Sequence, residues 1–409
     1  MTIGRPDGET RTRAGRADRV LAALFLGTFV LGTTEMLVVG VLNLIAADLG
    51  VSVPAAGGLV TAFALGLAVG GPLLTALTIR LDRRVVLVCA LALVVVGVLL
   101  PVVVGSYPLF VVARVLTGAL TGLFIAVAFA VGTSVAEPAR TGRAISVVFS
   151  GFAVSTALGV PLGTLLGQVV GWRGAFFAVV AVAVVALAAV LTLVPSVPGT
   201  RAGVADQARH AFAPRVLAVL TLLLLVFAAL YSVLTYVVPF LETVTGVSGA
   251  FVSLFLLVHG AATAVGSIGG GRFADHDAAR TLIVATAGMT VCLLALRLVG
   301  GSPAVVAVVL AALGLVATGM VPSLQYRVVE LAGPGGTLAQ SLPASAANIG
   351  VALGSLAGGA TIGNLSIAAT TLTGAGIAVV AVAVAVATRR LRGPAAADVP
   401  GPDGAVATR

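Results

Sequence analysis

The chain has 409 residues, of which 59% are hydrophobic and only 9% are charged, and its mean hydropathy is +1.19. A soluble domain carries about 25% charged residues, so this composition excludes a soluble globular protein and predicts an all-α polytopic membrane protein. The net charge of +9 would favour nucleic-acid binding in a soluble chain. Here the positions of the charges matter more than their sum, and we expect no nucleic-acid partner.

The chain opens with a polar, arginine-rich segment, residues 1–19. The apolar run that follows is too long for a secretory signal and lacks a clear small-residue cleavage site. We therefore predict a cytoplasmic tail that leads into an uncleaved first span.

Charged residues and Gly/Pro clusters divide the remaining chain into runs of about the 20 apolar residues that a membrane span needs. Twelve spans are predicted, at 20–42, 54–78, 85–104, 108–134, 144–169, 174–194, 215–240, 248–271, 280–300, 303–325, 338–363 and 367–388. With the N-terminus inside, most arginines fall in cytoplasmic loops, as the positive-inside rule requires, and only Arg173 and Arg297 lie at outer ends. An odd number of spans would destroy this bias, so both termini are expected in the cytoplasm.

The spans divide six and six around a polar segment at 195–214, which is predicted to be a cytoplasmic linker. The expected units are an N-terminal bundle at 20–194, a C-terminal bundle at 215–388 and a cytoplasmic tail at 389–409. Glycines at four-residue intervals recur six spans apart, in spans 5 and 11: Gly159, Gly163, Gly167 and Gly350, Gly354, Gly358. This echo is typical of two parallel six-helix repeats.

The glycine row of span 5 is interrupted by Pro161, which removes a backbone hydrogen bond and bends the helix. A bent, closely packed helix at the junction between the halves suits a rocking transporter, and structural packing alone is the competing interpretation. The exit of span 2 carries Gly71, Arg80, Arg83 and Arg84, and the exit of span 8 carries Asp275. These charged residues belong either to solvated loops or to ion pairs that stabilise one conformation of the transporter.

Two charges lie inside predicted spans, Glu35 in span 1 and Arg114 in span 4. Each is about seven residues from the outer end of its span, or ~10 Å at 1.5 Å per residue, so the two lie at one depth. An intramembrane ionisable residue indicates a functional site by default, and a carboxylate beside a movable cation suits proton coupling. A static ion pair that only holds the helices together, or a glutamate that faces the headgroups, is the alternative.

Scattered polar residues could give an apolar cavity its hydrogen-bonding points. The candidates are Asn43, Tyr231, Tyr236, His259 and Asn348. His259 is either a second titrating group or a hydrogen-bonded packing residue.

Several chemistries are excluded. The chain has no lysine, so it holds no G-x-x-x-x-G-K-[ST] nucleotide loop and cannot drive transport with ATP itself. Cys89 and Cys292 have neither disulfide nor metal spacing. We expect no cofactor, no metal and no enzymatic activity.

Several motifs resemble the major facilitator superfamily, and within it the twelve-helix drug:proton antiporters of the chloramphenicol-resistance and arabinose-efflux-like branch. The motifs are Gly32-Thr33-Thr34-Glu35-Met36, Asp48-Leu49-Gly50, Arg114-Val115-Leu116-Thr117-Gly118, Gly159-Val160-Pro161 and Gly171-Trp172-Arg173-Gly174. Ile79 departs from the family pattern, which usually has an Asp before the first Arg of the loop after span 2, whereas Asp275 fits it.

The resemblance implies a major facilitator fold in which spans 1, 4, 7 and 10 line the cavity, and it implicates Arg114 in proton transfer. The expected function is proton-coupled efflux of a small organic compound such as chloramphenicol by a monomer in the cytoplasmic membrane. The alternatives are a sugar or metabolite exporter and a non-transporting membrane sensor. The expected partners are the substrate, protons and the lipid bilayer.

Overall fold

The chain is a bundle of helices long enough to cross a bilayer. The computed structural model describes residues 7–137, 141–198, 213–332 and 342–392, and for 7–15, 141–142 and 271–276 it describes the backbone alone. Eleven stretches within these residues are long and apolar enough to span a membrane, and one of them, Arg143–Leu193, has 51 residues. At 1.5 Å per residue it would be ~76 Å long, more than twice the hydrocarbon thickness. It bends at Gly171, whose backbone is not helical, and is therefore two spans, which makes twelve.

The twelve helices are numbered in chain order. They are α1 (Asp7–Gly40, continued by Leu42–Leu49), α2 (Val53–Thr78), α3 (Arg83–Val104), α4 (Tyr107–Val135), α5 (141–170), α6 (172–193), α7 (Pro214–Leu234, continued by Val237–Thr243), α8 (Ala250–Gly270), α9 (Asp277–Val299), α10 (Pro303–Gly319, continued by Val321–Ala332), α11 (Leu342–Asn364) and α12 (Thr370–Thr388).

The twelve-span prediction is confirmed, and the predicted ends lie within four residues of the observed ones at all but three places. Helix α1 begins at Asp7, inside the predicted polar tail, and the helical continuations of α1 and α10 reach Leu49 and Ala332. Most of the predicted linker, at 199–212, lies outside the described residues.

Because successive spans run in opposite directions, the starts of odd-numbered helices and the ends of even-numbered ones share one side of the bundle. We call this side the arginine-rich face, since it carries Arg80, Arg83, Arg84, Arg143, Arg215, Arg280, Arg389 and Arg390. The other side, called the opposite face, carries Arg173 and Arg297.

The two halves repeat each other in backbone detail. Helix α1 breaks at Val41 (φ −121°, ψ 21°) and helix α7 breaks six spans later at Tyr236 (φ −112°, ψ 21°). Each glycine row also packs against the first helix of its own half. A Cβ on Gly159 would lie 2.3 Å from Thr33 Oγ1 of α1, and a Cβ on Gly354 would lie 2.3 Å from the Ala228 carbonyl oxygen of α7. These are two parallel six-helix bundles of the kind that repeat about an axis along the membrane normal.

Helix α5 lies at the junction between the halves, as expected, but its glycines do not make that junction. Gly163 faces Leu37 of α1 within the same half. The contact across the halves is made instead by Gly260 of α8, where an added Cβ would lie 2.5 Å from the Thr156 carbonyl oxygen. Pro161 is buried directly after a π-helical turn, Ser155–Gly159, a local adjustment that accommodates a missing backbone donor.

Candidate functional site

A cavity of about 240 Å³ lies between the two halves near the middle of the bundle. Helices α1, α5, α7, α8 and α10 line it, chiefly with apolar side chains, and among the polar ones are Glu35, Thr156, Tyr231, His259 and Thr318. The expectation that α4 lines the cavity beside α1, α7 and α10 is wrong for this cavity, because α4 contributes no lining residue and α5 and α8 take its place.

Glu35 is the acid in the cavity wall. It stands on α1 beside Met36, and its side chain is half-buried. The two residues that precede it, Thr33 and Thr34, are buried. Their hydroxyls donate hydrogen bonds to carbonyl oxygens four residues earlier in the same helix. The carboxylate is therefore the charged group that α1 presents to the cavity.

Arg114 lies behind Glu35, not in the cavity. Its side chain is 2% exposed and donates to three backbone carbonyls: Nε to Leu59 of α2 at 3.1 Å, Nη1 to Thr34 of α1 at 3.0 Å and Nη2 to Glu35 of α1 at 3.1 Å. The guanidinium carbon also lies 4.2 Å from the centre of the Phe63 ring, a cation–π contact that offsets part of the cost of a buried charge.

The two charged residues are thus neighbours, but the contact differs from an ion pair. Within the residues that the structure describes, no salt bridge joins the Glu35 carboxylate to Arg114; the guanidinium binds the carbonyl of the same residue instead. Arg114 therefore fixes the backbone turn that carries Glu35 and leaves the carboxylate facing the cavity.

Tyr231 and His259, two of the five predicted cavity residues, do line it. The Tyr231 hydroxyl donates to the sulfur of Met36, in the other half, at 3.6 Å. The Tyr231 ring stacks on the Phe227 ring, with 6.2 Å between the ring centres. His259 Nδ1 lies 2.9 Å from the Leu310 carbonyl oxygen. Because a carbonyl only accepts, Nδ1 carries the proton and Nε2 is the nitrogen left to the cavity.

The other three predicted cavity residues lie elsewhere. Asn43 is at the opposite face, where its amide donates to Glu242 of the other half. Tyr236 is buried near that face and donates to the Ser355 carbonyl at 2.9 Å. Asn348 on α11 donates to the Ala344 carbonyl of its own helix at 3.0 Å and does not line this cavity.

The halves meet over the cavity at the opposite face. Ser355 of α11 donates to the Gly57 carbonyl of α2 at 3.0 Å, and the Asn43–Glu242 bond joins the ends of α1 and α7. The ring of Tyr236 fits against Gly57, where a Cβ would lie 2.2 Å from the tyrosine hydroxyl. The cavity is therefore closed on that side.

The charged turn after α2 binds within its own half. Asp82 caps α3 by accepting from the N–H groups of Arg84 and Val85, at 2.9 and 3.2 Å, and from the Ser196 hydroxyl. The Ser196 hydroxyl, with these N–H groups, holds the pKa of Asp82 below its usual range. Arg84 donates to the Leu191 carbonyl at the end of α6. These described contacts tie α2, α3 and α6 together and do not latch the two halves.

The remaining predicted motif residues have these places. Arg80 is exposed, the Arg83 N–H donates to the Val197 carbonyl at 2.9 Å, and Gly71 packs against Gly122 of α4, where an added Cβ would lie 3.0 Å from its Cα. Asp275 is one of the residues whose side chains lie outside the description.

Sequence reasoning missed the apolar part of the wall, including Phe152, Phe227 and Leu256, and the acid Glu242. Nothing distinguishes a cavity-lining Phe or Leu from a packed one in an apolar run. Glu242 could have been identified as a candidate functional residue, because it is an acid at the end of a predicted span.

Two repeated six-helix halves that enclose a central cavity closed on one side define a membrane transporter. A sequence model of the Major Facilitator Superfamily matches residues 24–337, and the chain belongs to this superfamily. It is 32% identical over 343 residues to the inner membrane transport protein YdhP of Escherichia coli (strain K12), covering 84% of this chain and 88% of that one.

Two further similarities are to a second relative and to a solved structure. The chain is 31% identical over 349 residues to a chloramphenicol resistance protein of Streptomyces lividans, covering 84% of this chain and 89% of the relative. Its fold is similar to a solved bacterial homologue of the human lysosomal transporter Spinster in an inward-facing, unoccupied conformation. That match has a TM-score of 0.74 at 16% identity and covers 92% of this chain and 97% of the other.

Proposed function

We propose that this protein exports a small, largely apolar organic compound across the cytoplasmic membrane in exchange for protons. The observation that carries the proposal is the position of Glu35. It is a carboxylate in the wall of the cavity between the halves, on a helical turn fixed by Arg114. An acid at this depth is costly, and such residues mark ion or proton pathways.

The orientation follows from the arginines. Short loops rich in arginine remain in the cytoplasm, so the arginine-rich face is cytoplasmic, both termini are inside and the opposite face is external. With this orientation, the closure of the opposite face supports a state that receives substrate from the cytoplasm.

The proton cycle uses this chain's own groups. Glu35 takes a proton when the cavity is open to the outside, and the halves close externally once its charge is removed. When the cavity opens to the cytoplasm, the proton leaves and the substrate enters. Arg114 holds the α1 turn in place and adds a nearby positive charge that favours the ionised carboxylate.

The cavity also favours a particular substrate class. Its wall is mostly apolar, and the Tyr231 hydroxyl, the Thr156 hydroxyl and His259 Nε2 offer a few hydrogen-bonding points, the usual composition of a small-molecule site. Its volume of about 240 Å³ suits a small compound. The name of the Streptomyces lividans relative makes chloramphenicol the first compound to test.

The test is proton-driven chloramphenicol transport in proteoliposomes with an imposed pH gradient. Glu35→Gln should abolish gradient-driven transport and Glu35→Asp should retain part of it. Asp18→Asn serves as the control, since it removes an acid whose side chain is 60% exposed. Transport by Glu35→Gln at the wild-type rate would refute the assignment of Glu35.

A panel of sugars and unrelated drugs separates drug export from metabolite export. The absence of flux for every compound would favour a membrane sensor.

A further inference from the structure

The bond between Asn43 and Glu242 is the second place where a carboxylate meets the boundary between the halves. Asn43 lies just after the break in α1, and Glu242 lies in the short continuation of α7 after the equivalent break. Both side chains are half-buried. The contact can exist only while the opposite face is closed, because its two members belong to different halves.

The pair has one unused acceptor. Asn43 Nδ2 donates to Glu242 Oε2, whereas Asn43 Oδ1 is buried and has no hydrogen-bond partner within the described chain. An ionised carboxylate cannot donate, so it makes only one bond to a primary amide. A protonated carboxyl has an O–H donor as well as an acceptor, and the two groups can then form two parallel hydrogen bonds.

Among the described residues, no cation forms an ion pair with Glu242 that would take the place of this proton. The elements packed against Val237–Thr243 are α1, its continuation Leu42–Leu49 and the α8–α9 segment. At or near the opposite face, these elements carry Asp48, which pairs with Arg173 at 2.5 Å, and Arg297 at the end of α9. Deeper in the bundle they carry Glu35 and His259, which line the cavity. Their remaining described charges lie at the arginine-rich face: Arg16, Asp18, Arg19, Asp277 and Arg280. Within the described residues, no salt bridge reaches Glu242.

We propose that Glu242 is a second proton-binding site, and that its protonation completes a two-bond contact with Asn43 that holds the opposite face closed. The proposal rests on the alternation between two states in the proposed function, but not on the identity of the cargo. Opening that face separates the pair and hydrates Glu242, which favours the ionised form. A lower pH therefore favours closure of the opposite face. This is the direction expected if protons taken up from the external side convert the carrier to the state that is open to the cytoplasm.

The experiment measures closure directly, without transport. Cys89 and Cys292 are replaced by alanine, and spin labels are placed at Ser106→Cys and Ser302→Cys. These serines precede α4 and α10 at equivalent places of the two halves. Distances between the labels are recorded in lipid nanodiscs at about pH 8 and about pH 5, a range in which carboxyl groups at perturbed sites of folded proteins titrate. One added hydrogen bond, about 1 kcal/mol, corresponds to about a fivefold change in the closed-to-open ratio.

The wild-type ratio should rise by about this factor on acidification. Glu242→Gln places a permanent amide donor opposite Asn43 Oδ1, so it should be more closed than the wild type at both pH values, and its response should shrink to the part that Glu35 contributes. Asn43→Ala should lower the closed fraction at both pH values and shrink the response in the same way, which keeps the test available if the first variant fails to fold. A wild-type chain that does not respond, or a Glu242→Gln variant that responds like the wild type, would overturn the proposal.

The same measurement in a Glu35→Gln background separates this proposal from the proposed function. If Glu242 carries the response, the response persists when Glu35 can no longer titrate. If the response disappears there and remains in Glu242→Gln, then Glu35 alone binds the coupling proton and the latch is refuted. If transport by Glu35→Gln is normal while the latch responds, the coupling role of Glu35 falls and the latch stands.

Discussion

A single methyl group at Gly57 should shift the balance between the two states of the carrier. Gly57 lies on α2 of the first half, and a Cβ there would be 2.2 Å from the hydroxyl oxygen of Tyr236, on α7 of the second half. The nearest atoms of the tyrosine ring would be 2.6 Å away. The overlap crosses the boundary between the halves, so it is present only while the opposite face is closed.

The magnitude follows from how the site is packed. Tyr236 is 1% exposed and its hydroxyl is bonded to Ser355 at 2.9 Å, so the ring cannot move aside without losing that bond. Overpacking of a buried site costs about 1–3 kcal/mol. If the open state is free of this strain, Gly57→Ala should lower the closed-to-open ratio by about 5- to 150-fold.

The adjacent residue supplies the matched control. A Cβ on Gly58 would meet only the Tyr107 hydroxyl, at 3.2 Å, the far end of a side chain that is half-buried. Gly58→Ala changes helix propensity as much as Gly57→Ala does, so a propensity effect would appear equally in both.

The spin-label pair at positions 106 and 302 reads the ratio, and thermal unfolding in detergent checks that both variants fold. Gly57→Ala should show a larger population of long distances, and Gly58→Ala should match the wild type. Equal closed fractions in the two variants would refute the reasoning that Gly57 is a contact between the halves and not simply a helix residue.

Three further predictions test other parts of the structure. Arg114→Lys keeps the charge but cannot reach carbonyls on two helices with a planar fork, so gradient-driven flux should fall at least about tenfold while membrane insertion, judged by blotting, is unchanged. Asp82→Asn keeps a capping side chain but loses the charge that Ser196 favours. Its melting temperature should drop by about 1 °C at neutral pH, and the difference should vanish as acid protonates Asp82 in the wild type. Gly171→Ala forces a side chain onto φ 82°, ψ 160° and should destabilise the fold by about 1–3 kcal/mol, seen in thermal unfolding, whereas Gly376→Ala, inside α12 with no atom within 4 Å of the new Cβ, should not.

The architecture could be predicted from sequence because the bilayer restricts it so strongly. Every span must satisfy its backbone internally, so long apolar runs become helices whatever surrounds them. The glycine row at Gly350 and Gly354 predicted the repeat, because close helix contact tolerates only small residues at that spacing. The partner of the row in α5 could not be predicted, since residue spacing alone does not say which neighbouring helix it meets.

The candidate site was predicted less completely, and the physical reason is that its chemistry depends on where side chains point. Counting residues placed Glu35 and Arg114 at one depth, and the helices did bring them together. Counting could not show that Arg114 would choose carbonyl groups over the carboxylate. Likewise, Asn43 and Tyr236 are polar residues near the predicted cavity, but the breaks in α1 and α7 carry them to the seal between the halves.

The way Arg114 is held has a consequence for proton exchange. Breaking a buried ion pair typically costs about 3–5 kcal/mol, so a Glu35 locked onto a guanidinium would resist protonation in every cycle. Arg114 instead satisfies its donors with the carbonyls of Leu59, Thr34 and Glu35, and these remain in place whether or not the carboxyl carries a proton. The cation can therefore act on the carboxylate at a distance without having to release it. Under the proposed function, this arrangement lets the proton come and go at Glu35 while the packing of α1, α2 and α4 stays intact.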